Sequence, residues 1–453
     1  MTRQPVRPQA EPPVAAGLPF VGSIWQLSQD SQQFMFDQYL KLGPIFRVKA
    51  LGNVFKVLAG PELNTLMAKQ PELFTAWDTW APIVADFGGE KTLTMLDGPE
   101  HARMRKLMRK SFSRTTLMEH IPQTVEIVRS HLRRQPAGTP LSVAPLIQHI
   151  TADELGLMSN NRLPAEHFAD IVLWWNTLLE VYLAHQKSPK VLQREPYLSA
   201  KARVKAFAQS VLDERKATAA NQADEDHFLD NLMAVSEAEP DFLSHDEALF
   251  LTLAAYFAGL DTVANVTAFM LYELLFRPEL LAAARTEADA VFADGMPTPM
   301  EMRQMDVLHR TAMETLRLYP IAGVLPRTAA QDFEFEGYPI RKGEFFMCAT
   351  AASHFSPDIY PNPHAFDIDR YCAPRNEHKQ RGAFAPFGSG PHTCLGAGLA
   401  EVQIMLTVAT ILHSVEIAPG NPRYRLKKAY TPSLTPQGFT LQIGAWRENN
   451  QKE

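Results

Sequence analysis

Cysteine is scarce in this chain: Cys348, Cys372 and Cys394 are the only three among 453 residues. So few cannot build a disulfide framework, which points to a reducing compartment. A strong charge bias is missing as well. The net charge of −6 gives nucleic acid no electrostatic reason to bind. No unbroken apolar run approaches the roughly 18 residues that crossing a bilayer takes. The opening stretch, MTRQPVRPQAEPPVAAGLPFVGS, is polar and proline-rich, unlike a signal peptide or an anchor. These absences lead to the expectation of a soluble, cytoplasmic protein with no membrane span. Internal repeats and long low-complexity linkers are lacking too.

What is present suffices for a large core. Apolar residues make up 46 % and charged residues 21 %, near the globular average. A chain of this length can bury most of its apolar surface and enclose a cavity. Residues 45 to 59, IFRVKALGNVFKVLA, alternate as two strands around a turn. Helical periodicity flanks them at 30 to 42 and 61 to 69, and dominates from about 98 to 292. The run SHDEALFLTLAAYFAGLDTVANVTAFMLYELLFRPEL opens on Ser244 as an N-cap and is apolar on nearly every face. Such a helix crosses a core. Helical pattern returns at 302 to 319 and at about 395 to 414. FEFEGYPIRKGEFFMCAT reads as short strands, and YTPSLTPQGFTLQIGAW as a closing hairpin. The fold class is therefore mainly α with a small β portion.

The stretch AFAPFGSGPHTCLGAGLAE, residues 383 to 401, holds one of the few cysteines. Gly388 and Gly390 permit positive φ and close approach, and Pro391 stiffens the turn. Cys394 falls just before a helix N-terminus, where amide donors and the helix dipole favour a thiolate. Gly396 and Gly398 leave that helix start free of side-chain bulk, so a flat group can pack there, and Phe387 can shield the sulfur. A lone cysteine is ordinarily only a small hydrophobe; the glycine-flanked turn argues otherwise.

FGSGPHTCLG resembles the haem-binding loop of the cytochrome P450 family, with Phe387, Gly388, Gly390, His392, Cys394 and Gly396 in register. The resemblance implies that Cys394 is the proximal thiolate ligand of the iron of haem b. Most members have arginine where this chain has His392, which would still reach a haem propionate. Further elements follow in family order. ETLRLYP carries Glu314 and Arg317, at i and i+3 on one helix face, and FDIDRY carries Arg370. The family's counterparts form a buried Glu314–Arg317–Arg370 network that supports the haem loop. AGLDTVANV places an acid and a threonine inside an apolar helix, which is unfavourable without a reason. Its Ala258, Gly259, Asp261 and Thr262 match the family's distal groove, with a local bulge, a role for Asp261 and Thr262 in delivering protons to dioxygen, and Ala258 beside the haem. HARMRKLMRKSFS, residues 101 to 113, reads as a basic amphipathic helix. Its His101 and Arg105, with Arg327 of VLPR, stand where the family's propionate partners stand.

The resemblance covers about residues 18 to 447 and implies a single cytochrome P450 domain over 1–453. A small β-rich part would take about 40–60 and 321–350 with the 421–447 hairpin; a helical haem-binding part would take about 61–320 and 351–420. The haem is expected between the long central helix and the cysteine-loop helix. The implied activity is that of a soluble, bacterial-type haem-thiolate monooxygenase. Electrons would come from a separate ferredoxin or flavodoxin with an NAD(P)H-dependent reductase. Arg103, Lys106, Arg109 and Lys110, with Lys379 and Arg381, are the expected docking surface for that acidic donor. Phe74, Trp77, Trp80, Ile83, Val84, Phe87, Ala255, Val324 and Leu434 predict an apolar substrate cavity. It suits a terpenoid or steroid, or a fatty acid. Two alternatives stand beside this reading: a peroxide-using or isomerising haem-thiolate enzyme, and a non-catalytic haem-binding or sensor protein. Neither needs the Asp261–Thr262 pair.

Overall fold

The computed structural model describes residues 11–219, 228–430 and 433–447. The chain divides into two compact units. One comprises Met1–Trp80, Thr94–Gly98 and Ala322–Cys394; the other comprises Ala81–Leu93, Pro99–Ile321 and Leu395–Glu453. The cysteine loop thus belongs with the β-rich unit, and the closing strands belong with the helical one.

The first unit is built on a five-stranded sheet. Its strands lie in the order Ile45–Ala50, Asn53–Ala59, Phe345–Ala349, Leu325–Ala329 and Phe74–Thr75. The expected hairpin forms with Ile45 opposite Leu58 and Ala50 opposite Asn53. Its two-residue turn has φ of 49° at Leu51 and 82° at Gly52, the left-handed geometry that matches strand twist. Asn53–Ala59 then pairs in parallel with Phe345–Ala349, Val57 standing opposite Met347. Phe46, Val57, Leu58, Phe346 and Cys348 are all fully buried. Burial pushes the Cys348 thiol up to about 12, so this cysteine is an inert core residue.

The second unit is helical. Ser244 caps its helix as expected, in a reciprocal capping box with Glu247. The single helix expected beyond it is two: His245–Thr252 and Ala254–Leu275, with Leu253 at φ −95° and ψ 0° between them. The Thr252 hydroxyl donates back to the Ala248 carbonyl at 2.9 Å, a side-chain bond of the kind that bends helices. The bulge expected over residues 258 to 262 is absent, because Ala254–Leu275 is α-helical throughout. The basic helix is also shorter than expected, Gly98–Met108.

The closing segment does not form one hairpin. Lys428–Tyr430 pairs with Leu434–Pro436. Thr440–Trp446 pairs instead with Val415–Pro419 and Pro140–Ser142. Pro436 and Gly438, at φ 72°, turn the chain away between the two pairings. Two helical stretches, His245–Leu275 and Gly390–Ser414, are long and apolar enough to cross a membrane by length and composition, and 72 % and 67 % of their apolar windows are buried inside the protein. Long helices of this kind, apolar all round, are what a large core requires.

Candidate active site

In the first unit, the cysteine loop is fixed by its backbone. Gly388 and Gly390 both have φ of 76°. A Cβ on Gly390 would lie 2.5 Å from the Met67 carbonyl oxygen, so only glycine fits there. The Cys394 N–H donates to the Phe387 carbonyl at 2.8 Å, and the Thr393 hydroxyl donates to the Gly390 carbonyl at 2.7 Å. The Ser389 hydroxyl donates at 2.8 Å to the carbonyl of Asn64, on helix Gly60–Lys69. Asn64 in turn donates to the carbonyls of Thr350 and Gly382. Helix Ala397–Ser414 starts just beyond, capped by Gly396, which places Cys394 ahead of its N-terminus as expected. Of the three thiols, only that of Cys394 is exposed.

Two basic side chains of this unit bear on the loop's chemistry. His392 Nε2 lies 2.9 Å from an oxygen of Asp97, a partner the sequence reading missed. Arg327 projects from the strand Leu325–Ala329 and donates to the Pro326 carbonyl at 2.7 Å. Burial lowers its guanidinium pKa, against the attraction of Asp97. Among the described residues it forms no ion pair with a carboxylate. An accessible thiol on a rigid glycine turn and a desolvated guanidinium without its own carboxylate form a donor set that fits an iron porphyrin bearing propionates. Cys394 would ligate the iron, and Arg327 and His392 would meet the propionates.

In the second unit, Thr262 donates from its hydroxyl to the Ala258 carbonyl at 2.6 Å. Asp261, one residue before it, has its carboxyl pKa raised by burial, which a hydrogen bond from Gln148 opposes. Gly259 has a packing role the sequence did not show: a Cβ there would lie 2.9 Å from Leu155. At Gly396 and Gly398 an added Cβ would meet nothing closer than 3.7 Å, so the start of the helix is free of bulk as expected. His101 is buried and Arg105 half-buried on one face of helix Gly98–Met108.

Buried ion pairs brace each unit. Arg317 grips Glu314 through two bonds, of 2.8 and 2.7 Å, with both side chains fully buried. Arg370 donates at 2.8 Å to Glu377 and at 2.7 Å to the Pro361 carbonyl, and also reaches the carbonyls of Asn362 and Ala365. It therefore clamps the meander from 361 to 377 in its own unit.

A further buried acid went unnoticed in the sequence. Glu154 accepts from Gln403 at 2.7 Å and from Thr407 at 2.9 Å. Burial pushes its carboxyl up from 4.5 to about 8, so it is protonated at neutral pH. A proton bound more tightly in the folded state stabilises the fold at low pH. That stability is fully present below pH 4.5 and is lost as pH rises to about 8. The loss is on the order of 5 kcal/mol. Urea titrations at several pH values should show it in the parent protein. Glu154→Gln, which has no proton to lose, should be less pH-sensitive by that amount; equal pH dependence of parent and variant would contradict the assignment.

The expected pocket residues fall as follows. Phe74 packs against Phe333 and Phe346 in the sheet core, and Trp77 is 45 % exposed. Trp80 and Val324 are half-buried. Ile83, Val84, Phe87 and Ala255 are buried. Leu434 joins a core cluster with Phe269 and Tyr319. Phe87 is part of an aromatic group with Trp174, Phe250 and Phe257, which no sequence periodicity announced. Arg103 departs from its expected place on a free basic surface: it is paired with Glu239 and stacks 4.0 Å over the Phe242 ring.

The family description "Cytochrome P450" matches residues 12–441. The chain is 26 % identical over 459 residues to abscisic acid 8'-hydroxylase 2 of Oryza sativa subsp. indica, covering 98 % of this chain and 87 % of that one. It is 34 % identical over 228 residues to a sterol 14alpha-demethylase of Mycolicibacterium vanbaalenii, covering 49 % and 50 %. It is 25 % identical to cyclooctat-9-en-7-ol 5-monooxygenase of Streptomyces melanosporofaciens, covering 92 % and 91 %. In fold it is similar to the crystal structure of the cytochrome P450DA heme domain, with a TM-score of 0.84 at 21 % identity over 98 % of this chain and 99 % of that one. With the match running along nearly its whole length, the chain belongs to the cytochrome P450 family and is a monooxygenase with a Cys-ligated haem b.

Proposed function

We propose that this monooxygenase hydroxylates an apolar, ring-containing small molecule, with a terpenoid or steroid ahead of a fatty acid. The observation that carries the oxygen-activating reading is the Asp261–Thr262 pair: a half-buried acid of raised pKa next to a helix hydroxyl. Such a pair serves proton delivery, which peroxide-using, isomerising and sensor proteins do not need. The names of the relatives, which point to abscisic acid, a sterol and cyclooctat-9-en-7-ol, support the substrate class.

The residues divide the work. Cys394 holds the iron, and Arg327 and His392 bind the propionates, Asp97 orienting the imidazole. The thiolate-ligated haem supplies the oxygen activation when bound. Asp261 takes up protons, and Thr262 passes them on from a hydroxyl whose orientation the Ala258 carbonyl fixes. We further propose that electrons arrive from a ferredoxin or flavodoxin. The exposed Lys106 and Arg109 offer its acidic surface a basic counterpart.

Titration of the ferric protein with terpenes, steroids and fatty acids, followed in the Soret band, tests the substrate class. A low-spin to high-spin shift is expected with ring-containing apolar ligands. Silence from all three classes would sink the substrate reading. In Thr262→Ala, reductant consumption should continue while product falls; intact coupling would remove the relay assignment.

A further inference from the structure

The two oxygens of Asp261 have different surroundings. Oδ1 accepts a hydrogen bond of 2.6 Å from Nε2 of Gln148. Oδ2 is enclosed without a hydrogen-bond partner among the described residues. Gln148 lies on helix Val143–Asn160, 113 positions from Asp261 in the sequence. That helix runs antiparallel to Ala254–Leu275: Gln148 meets Asp261, Leu155 faces Gly259, and Gly156 faces Tyr256. The glycines set the distance between the helices. A Cβ at Gly156 would lie 2.5 Å from the Tyr256 hydroxyl, and one at Gly259 would lie 2.9 Å from Leu155. This close packing places the amide and the carboxyl on facing helices within hydrogen-bond reach.

We propose that Gln148 is a positioning residue for proton delivery: its amide fixes the orientation of the Asp261 carboxyl and favours its charged form. This rests on the relay reading above. An amide suits the task better than a cation would. It donates to the ionised acid and, turned over, accepts from the protonated acid. It carries no fixed charge that would hold Asp261 ionised throughout turnover.

Burial raises the carboxyl pKa and the Gln148 hydrogen bond lowers it, the first effect prevailing. The titratable neighbours on helix Val143–Asn160 are engaged elsewhere. His149 stacks on Phe168, Asp153 meets His131, and Glu154 is held by Gln403 and Thr407. On the other elements packed against Ala254–Leu275, Glu314 pairs with Arg317 and Glu401 with Arg114. Glu273, on the same helix as Asp261, pairs with Arg277. Gln148 is thus the side chain that hydrogen-bonds this carboxyl among the described residues.

The test uses the reduced carbonyl complex of the holoenzyme, which is diamagnetic, with ¹³C-labelled aspartate carboxyls. Asp261→Asn identifies the Asp261 resonance by removing it. In Gln148→Leu the titration midpoint of Asp261 should rise, and the pH profile of product formed per reductant should move the same way. Gln148→Glu should restore coupling at low pH, where its carboxyl donates a proton, and lose it as that carboxyl ionises. Thermal melts of each variant confirm that the fold persists. An unmoved Asp261 midpoint in Gln148→Leu overturns the proposal. A moved midpoint with an unchanged coupling profile also overturns it, since Gln148 would then tune an acid that delivers no protons. Failure of the relay reading is seen separately, as normal coupling in Asp261→Asn.

Discussion

Cys394→Ser should abolish the thiolate-type Soret band of the reduced carbonyl complex and reduce turnover by at least roughly a thousandfold, equivalent to about 4 kcal/mol of barrier. The fold should survive the change. The Cys394 thiol is exposed, and the bonds that shape the loop run through the Cys394 N–H, the Ser389 hydroxyl and the Thr393 hydroxyl. Exposed substitutions of this size alter stability by only about 0.5 kcal/mol. The loss therefore belongs to the ligand: a serine hydroxyl lacks the electron donation that a thiolate gives the iron. Carbonyl difference spectra and turnover are the measurements, with Cys372→Ser as the control that should leave both intact. A thiolate-type band persisting in Cys394→Ser would move the ligand to another residue. Cys348, buried and with its thiol pushed up to about 12, is a poor substitute.

Glu314→Ala should destabilise the protein by about 3–5 kcal/mol, the largest stability effect expected of any substitution considered above. Both partners are fully buried, so removing the carboxylate leaves a guanidinium without its bidentate counter-charge. Glu314→Gln should recover only part of the loss, because an amide oxygen accepts a hydrogen bond but carries no charge. Replacing both residues by methionine should be milder than either single truncation, since an apolar pair of similar volume strands no charge. Urea unfolding midpoints decide the matter. A single-variant loss below about 1 kcal/mol would mean that solvent reaches the pair.

Local chemistry made much of the site legible in advance. The glycine turn at 388 to 390, the helix start after Cys394, the turn between the first two strands and the N-cap at Ser244 all formed where the residue types called for them. Each depends on steric limits or on hydrogen bonds between positions a few residues apart. Errors arose where a local pattern had more than one way to be satisfied. One helix is interrupted at Leu253, and Pro436 with Gly438 divided the last strands between two sheets. Arg103, legible only as part of a basic run, was captured by Glu239.

By itself, then, the sequence determined the family, the mainly α class and the presence of an acid–threonine pair, because each of these is written in contiguous residues. Tertiary structure alone decided that Asp97 meets His392 across 295 positions, that Gln148 meets Asp261 across 113, and that Gln403 and Thr407 enclose Glu154 across 249 and 253. Those partnerships set which acids are buried, oriented or protonated. They depend on how whole helices and strands pack, since desolvation and hydrogen-bond geometry exist only once distant segments have closed on one another.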